Sequence, residues 1–216
     1  MKKFLLNLLV IIQLISFFIA SIFFIVLKVS FIFDLYKYFY TKVNLAWKLD
    51  ISDSLLLNYT DNLLTYLKTG APLDTTWYTE KDILHMIDVR DLYQNSLTIT
   101  YILFSIFLIT SFIIFLLEKK NTMIFISKSF PKVFILFIAL MLILGIYIAI
   151  DFNSFWINFH LLVFDNDLWL LSPLESNLIK MFPEEFFLLL VTICIISIVL
   201  FFIFLFGIMK ILKNKF

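Results

Sequence analysis

The sequence predicts an all-α membrane protein: four transmembrane helices, both termini cytoplasmic, and a helical extracellular cap. Three observations lead there. The chain is 62% hydrophobic, with a mean hydropathy of +1.03. Four stretches, approximately 4–27, 97–117, 133–150 and 186–209, are long and apolar enough to cross about 30 Å of hydrocarbon as helices. With three Gly and four Pro in 216 residues, little in the chain would break a helix.

The first span follows Met1-Lys2-Lys3, a start shared with signal peptides. Its apolar core exceeds a typical signal core and no small-x-small site follows it cleanly, so it reads as an uncleaved anchor. Lys and Arg then orient the bundle, because short cytoplasmic loops hold an excess of them. Lys2, Lys3, Lys119, Lys120, Lys128, Lys132, Lys210, Lys213 and Lys215 fall on one side, where Glu118 is the only acid. The other side holds the remaining eight basic and fifteen acidic residues, an asymmetry hidden by the net charge of +1. Residues 28–96 and 151–185 therefore face outward as the cap of a single membrane domain, 1–216. The inner connection, Glu118 to Lys132, is too short for a cytoplasmic domain. No internal repeat, Gly-rich phosphate loop or nucleic-acid-binding pattern is visible.

Within the first outward segment, Ser52 or Asp53 can cap a helix whose apolar residues are Leu55, Leu56, Tyr59, Leu63, Tyr66 and Leu67. Lys68, Gly70 and Pro72 supply its stop. A second helix starts at Thr79, with Asp82 as a variant capping box. It carries Ile83, His85, Met86, Val89 and Tyr93 into the second span. In the second outward segment, Asp151 to His160 continues the third span as helix, Asp165 to Pro173 breaks it, and a short helix follows near Leu174 to Phe182. Pro183, Glu184 and Glu185 suit the first turn of the fourth span, proline at its first position and carboxylates at the positive helix end.

Aromatic placement is asymmetric too. All four tryptophans (Trp47, Trp77, Trp156, Trp169) and seven of nine tyrosines lie in the outward segments. Interfacial belts occur on both sides of a membrane, yet the inner loops here contain no Trp or Tyr. The excess predicts an aromatic cap on the outer leaflet with room for an amphiphilic substrate.

Against this background His85 and His160, the only histidines, carry the chemistry. Imidazole exchanges protons near neutral pH, and both lie on the outward side. Asp82 and Asp88 sit one turn either side of His85, so a carboxylate can orient its ring. Asp165, Asn166 and Asp167 can fold back towards His160. Cys194, alone inside the fourth span, is a small core residue rather than a nucleophile, because a thiolate in hydrocarbon is strongly disfavoured. A zinc site needs about three ligands and an open position; His85, His160 and one Asp could supply them, but no His-x-x-x-His or Glu-x-x-His spacing supports it. A serine triad lacks its Gly-x-Ser-x-Gly turn, and no histidines face each other inside the spans to bind haem. What remains is general acid–base catalysis, worth about 10²–10⁴-fold per positioned group. It suits a substrate that brings its own nucleophile.

LHMIDVRDLY (84–93) and FHLLVFDNDLWLLSPLESNLIKMFPEEFF (159–187) resemble the two signature segments of the lipoprotein intramolecular transacylases, and NYTDNLLTYL (58–67) resembles a third, weaker one. Length, four spans and an outward cap also match, so the resemblance covers essentially the whole chain. One stretch and one position depart from the family pattern: Leu161 to Phe164 is more aliphatic, and Asn177 stands where an acid is expected. The resemblance implies a bacterial cell-membrane enzyme working at the extracellular face on diacylated lipoproteins embedded in membrane lipid. One acyl chain would move from the glyceryl sn-2 oxygen to the α-amino group of the N-terminal cysteine, giving a lyso-form lipoprotein. His85 and His160 match the family's catalytic histidines, and no cofactor, metal or nucleotide is implied.

An α-amino group of pKa near 7.7–8.0 is about 10% neutral at pH 7, so preparing it costs only about 1 kcal/mol. A histidine base can meet that, and a confining pocket supplies orientation. The developing oxyanion needs donors; the second histidine, Tyr59, Tyr66, Asn166 and Trp169 are the candidates, with Asp88 orienting. The sequence does not separate base from acid between the two histidines. Two other readings stay open: a non-enzymatic membrane accessory protein whose cap binds a partner, and a zinc-dependent membrane hydrolase.

Overall fold

The computed structural model describes residues 2–213; Lys215, counted above with the inner basic residues, lies outside them. The regular elements among the described residues are all helices, without strands. In chain order the helices are α1 (Lys2–Val29), α2 (Phe33–Val43), α3 (Leu45–Lys48), α4 (Asp53–Thr69), α5 (Glu80–Glu118), α6 (Thr122–Ile150), α7 (Phe152–Val163), α8 (Asn177–Met181) and α9 (Glu184–Lys213). Among them α1, α5, α6 and α9 are long and apolar enough to cross a membrane.

The chain divides into two compact units. One comprises residues 1–26, 96–146 and 193–216. Its core gathers on Phe18, fully buried, whose ring centroid lies 4.5 Å from Phe202 and 5.0 Å from Phe137. Its outer surface keeps large apolar side chains exposed, among them Leu108, Ile143 and Phe204. That is the distribution expected of helices solvated by lipid rather than water. Buried Gln13 donates to Ser111 Oγ at 2.7 Å, and Ser21, Thr110 and Ser111 return their hydroxyls to carbonyls one turn back. Cys194 is buried here. The turn before α6 is a short 3-10 segment, Lys119–Asn121, so α6 begins well before residue 133.

The second unit comprises residues 27–95 and 147–192. Asn44, in a left-handed conformation (φ 53°), turns α2 into α3. Ser52 caps α4 by accepting from the Leu55 amide, and Gly70 (φ +80°) ends it. A Cβ there would also lie 3.0 Å from Arg90 Nη2, so the guanidinium would have to give way slightly. Of the face expected from the sequence, Leu56, Leu63 and Leu67 are buried and Tyr59 and Tyr66 half-buried, while Thr60 and Leu64 complete the buried side. Leu55 is exposed. Thr60 can occupy the buried face because its hydroxyl bonds both Tyr40 Oη (2.8 Å) and the Leu56 carbonyl (3.0 Å).

Thr79 and Asp82 form the expected reciprocal capping box at the start of α5, with the Thr79 amide donating to Asp82 Oδ2 and the Asp82 amide to Thr79 Oγ1. Asp151 corrects a second expectation. It does not continue the preceding helix: its backbone leaves helical geometry (φ −150°, ψ 83°) and its carboxylate caps a new helix, α7, through the Ser154 amide. The short helix α8 starts at Asn177, later than Leu174, because Ser176 caps it through the Ile179 amide. Glu184 accepts from Asn153 Nδ2 at 2.9 Å, pinning the α7 start to the first turn of α9.

Candidate active site

His85 lies on α5 two turns from its capped start, and His160 lies near the end of α7. The fold of the second unit brings their ring centroids to 6.3 Å, with 34° between the planes. Each is 7% exposed. Phe164 lies against both, 5.3 Å from His85 and 5.7 Å from His160. Around His160 the aromatic wall continues with Trp156 edge-on at 4.6 Å and Trp169 stacked at 4.8 Å. The Trp156 ring is itself stacked on Phe187 at 4.2 Å.

One hydrogen bond distinguishes the two imidazoles. His160 Nδ1 donates to the Trp156 carbonyl at 2.7 Å. A carbonyl can only accept, so Nδ1 carries the proton and Nε2 keeps a lone pair. Burial holds the His160 pKa below its ordinary 6.5, with the Trp156 hydrogen bond acting in the opposite direction. The neutral ring, ready to accept a proton at Nε2, is therefore the form present at neutral pH. His85 Nδ1 is buried and has no hydrogen-bond partner among the described residues. Two buried imidazoles this close strongly disfavour carrying two charges at once.

Asp88 lies one turn beyond His85, yet its carboxylate accepts from Asn166 Nδ2 (2.9 Å) rather than from the imidazole. The segment after α7 does fold back: Asn166 is held by Asp88, and the Leu170 carbonyl accepts from Lys81 Nζ at 2.6 Å. Between these two ties sits Trp169, flat against His160, its buried indole N–H without an acceptor among the described residues. Asp88, Asn166 and Trp169 are thus brought to the histidine pair. Tyr59 and Tyr66 have contacts of their own. Tyr59 stacks on Trp77 at 4.3 Å, and Tyr66 faces Arg90 and Asp91, its phenol pKa pushed up by burial. Asn177 donates to the Trp77 carbonyl and accepts from Lys180, an amide role that a carboxylate could not fill in both directions.

Trp156 and Phe164 complete the site without having been singled out from the sequence. They stand four residues before and after His160, so helical spacing was an available signal. Among the described residues no three His, Cys, Asp or Glu side chains are grouped to hold a metal ion. The arrangement can move protons: one buried base with a defined lone pair, a second imidazole beside it, and an indole donor in the same aromatic wall.

Fold and site together define a multi-pass, all-helical membrane protein that contains a buried histidine pair. The family model for the lipoprotein intramolecular transacylase Lit matches residues 11–187. The chain belongs to that family. Among solved structures, the membrane-integral Lit of Bacillus cereus superposes with a TM-score of 0.84 at 23% identity, over 99% of this chain and 98% of that one. A form of that protein with the substitution H85R gives 0.78 at 24% identity, covering 99% and 94%. One with H85A gives 0.79 at 24% identity, covering 99% and 96%. These similarities show a shared fold. No significant match was found among curated protein sequences.

Proposed function

We propose that this protein transfers an acyl chain within a diacylglyceryl lipoprotein, from the glyceryl sn-2 oxygen to the α-amino group of the N-terminal cysteine. The observation that carries the mechanism is the His160 Nδ1–H bond to Trp156, which leaves Nε2 as the base. The substrate arrives mostly as an α-ammonium, of pKa about 7.7–8.0. His160 Nε2 takes its first proton, and the neutral amine attacks the sn-2 ester carbonyl. A C–N bond forms; the nitrogen then loses a second proton. The C–O bond breaks as the pair, through His85, returns one proton to the departing sn-2 oxygen. The other proton leaves to solvent. Trp169 Nε1–H and Asn166 supply donors to the carbonyl oxygen as it gains charge, and Asp88 orients the segment that carries them. The nearby aromatic rings confine the lipid and hold ester and amine together.

In this reading residues 28–96 and 151–185 form an extracellular cap on spans 4–27, 97–117, 133–150 and 186–209, with both termini inside. The basic inner connections support that orientation. Single cysteines at Thr75 and Asn166 should then react with an impermeant thiol reagent in intact cells, and one at Asn121 should not. The reaction is tested by expressing the protein in a bacterium that makes diacylated lipoproteins and fragmenting the N-terminal lipopeptide in a mass spectrometer. Mass is conserved, so the acyl group must be located on nitrogen. The product should vanish with His85→Ala and with His160→Ala; persistence in either variant removes the histidine mechanism.

A further inference from the structure

Asp82 is fully buried and Ser176 is 2% exposed. Asp82 Oδ2 accepts from the Thr79 amide, closing the start of α5, while Oδ1 accepts from the Ser176 hydroxyl at 2.5 Å. The same Ser176 oxygen accepts from the Ile179 amide, closing the start of α8. One carboxylate therefore joins the caps of two elements whose bridging residues are 94 positions apart. A capping box needs no burial, and placing a carboxylate out of water is costly even when its lone pairs are satisfied. Capping alone leaves that burial unexplained.

His85 stands one turn after Asp82, on the same side of α5. The charged and titratable groups that face it are His160, Asp88, Asp82 and Lys81. Lys81 is exposed and its ammonium is spent on the Leu170 carbonyl. Asp88 is only half-buried and holds Asn166. Asp82 is the one fully buried carboxylate in the set.

We infer that Asp82 and Ser176 are positioning residues for the acyl transfer, a buried bridge that fixes His85 relative to the segment following His160 and places a carboxylate beside the imidazole pair. This rests on the histidine-pair mechanism proposed above. The bridge fixes geometry through Ser176, and its carboxylate favours the imidazolium that forms as protons pass through the pair.

The test uses purified full-length protein in lipid nanodiscs with a synthetic diacylglyceryl lipopeptide. Initial rates are taken across the histidine titration range, alongside thermal unfolding. Ser176→Ala should lower kcat about tenfold or more with KM within about twofold, and Ser176→Thr, which keeps the hydroxyl, should restore most of it. Asp82→Asn keeps the shape. It should lower kcat and move the limb of the profile set by His85 to lower pH, because a carboxylate neighbour favouring that imidazolium is gone. Should wild-type protein form no N-acyl product, the transacylase reading itself fails. Where wild type is active, folded Asp82→Asn with an unshifted profile overturns the inference, as does failure of this isosteric variant to fold. A Ser176→Ala loss expressed wholly in KM does so too.

Discussion

His160 Nδ1 donates to the carbonyl oxygen of Trp156, one turn back along the same helix, at 2.7 Å. An imidazole tied this way cannot exchange tautomers without breaking a buried hydrogen bond, a loss of about 0.5–1.5 kcal/mol before the cost of leaving the carbonyl unpaired. Nitrogen-15 NMR of histidine-labelled protein should therefore show, above neutral pH, a protonated Nδ1 and an unprotonated Nε2 for His160. The opposite tautomer, or an averaged signal, would take away its assignment as base.

The acid side of the activity profile follows from burial. The His160 pKa lies below 6.5 in the folded protein, so kcat/KM should fall only at pH values below that of a free histidine and should be flat through neutrality. Stability has the matching sign. The unfolded chain binds a proton at this residue more readily than the folded one. The contribution is thus fully present above about pH 6.5 and is lost as pH falls towards the folded value. Unfolding followed against pH should show this decline in wild type, with a smaller slope in His160→Phe. A wild-type slope of opposite sign would mean the ring is charged in the fold.

The parts of this fold that are legible in the sequence are those decided locally. Apolar length marks α1, α5, α6 and α9, while Ser52, Gly70 and the Thr79–Asp82 box mark ends that the chain uses as expected. Where a side chain finds its partner on another element, local reading fails. Thr60 looks polar and is passed over, yet Tyr40 satisfies it inside the core. Asp151 looks like a helix residue near a membrane and is instead a cap. The two histidines stand out by rarity alone, but their approach and the tie between Asp88 and Asn166 depend on how α5 and α7 pack. The Asp82–Ser176 bridge has no local signature at all.

Trp169 separates stacking from hydrogen bonding. Its ring lies 29° from the plane of His160, and its N–H is buried without an acceptor among the described residues. Trp169→Phe keeps a ring and removes only the donor. The removal of one such donor costs about 10²–10³ in kcat where it stabilises an oxyanion. Trp169→Phe should therefore lower kcat towards that extent with little change in KM, whereas Trp169→Ala should also weaken binding. Wild-type kcat in Trp169→Phe would leave the ring as packing only.

Asn166 and Asp88 provide a coupling measurement. Their hydrogen bond, 2.9 Å long and solvent-exposed, joins the Trp169 segment to the His85 helix. If it orients that segment, Asn166→Ala and Asp88→Ala should each reduce kcat several-fold. The double variant should then be scarcely worse than either single one, with a coupling of about 0.5–1.5 kcal/mol. Fully additive losses would show that the two residues act separately.

The proton balance of the proposed reaction gives a direct readout. An α-ammonium with three N–H bonds becomes an amide with one; one proton goes to the sn-2 oxygen and one is left over. Because the substrate amine is about 90% protonated at pH 7, each turnover there should release close to one proton to the medium. The yield should fall as pH rises through about 7.7–8.0, where the amine is already neutral. Neither ester nor amide titrates nearby, so the signal reports the transfer to nitrogen and not acyl exchange between oxygens, which releases none. A weakly buffered indicator assay with the purified protein and a synthetic diacylated lipopeptide measures it. Product formation without proton release at pH 7 would contradict attack by the α-amino group, whichever histidine serves as base.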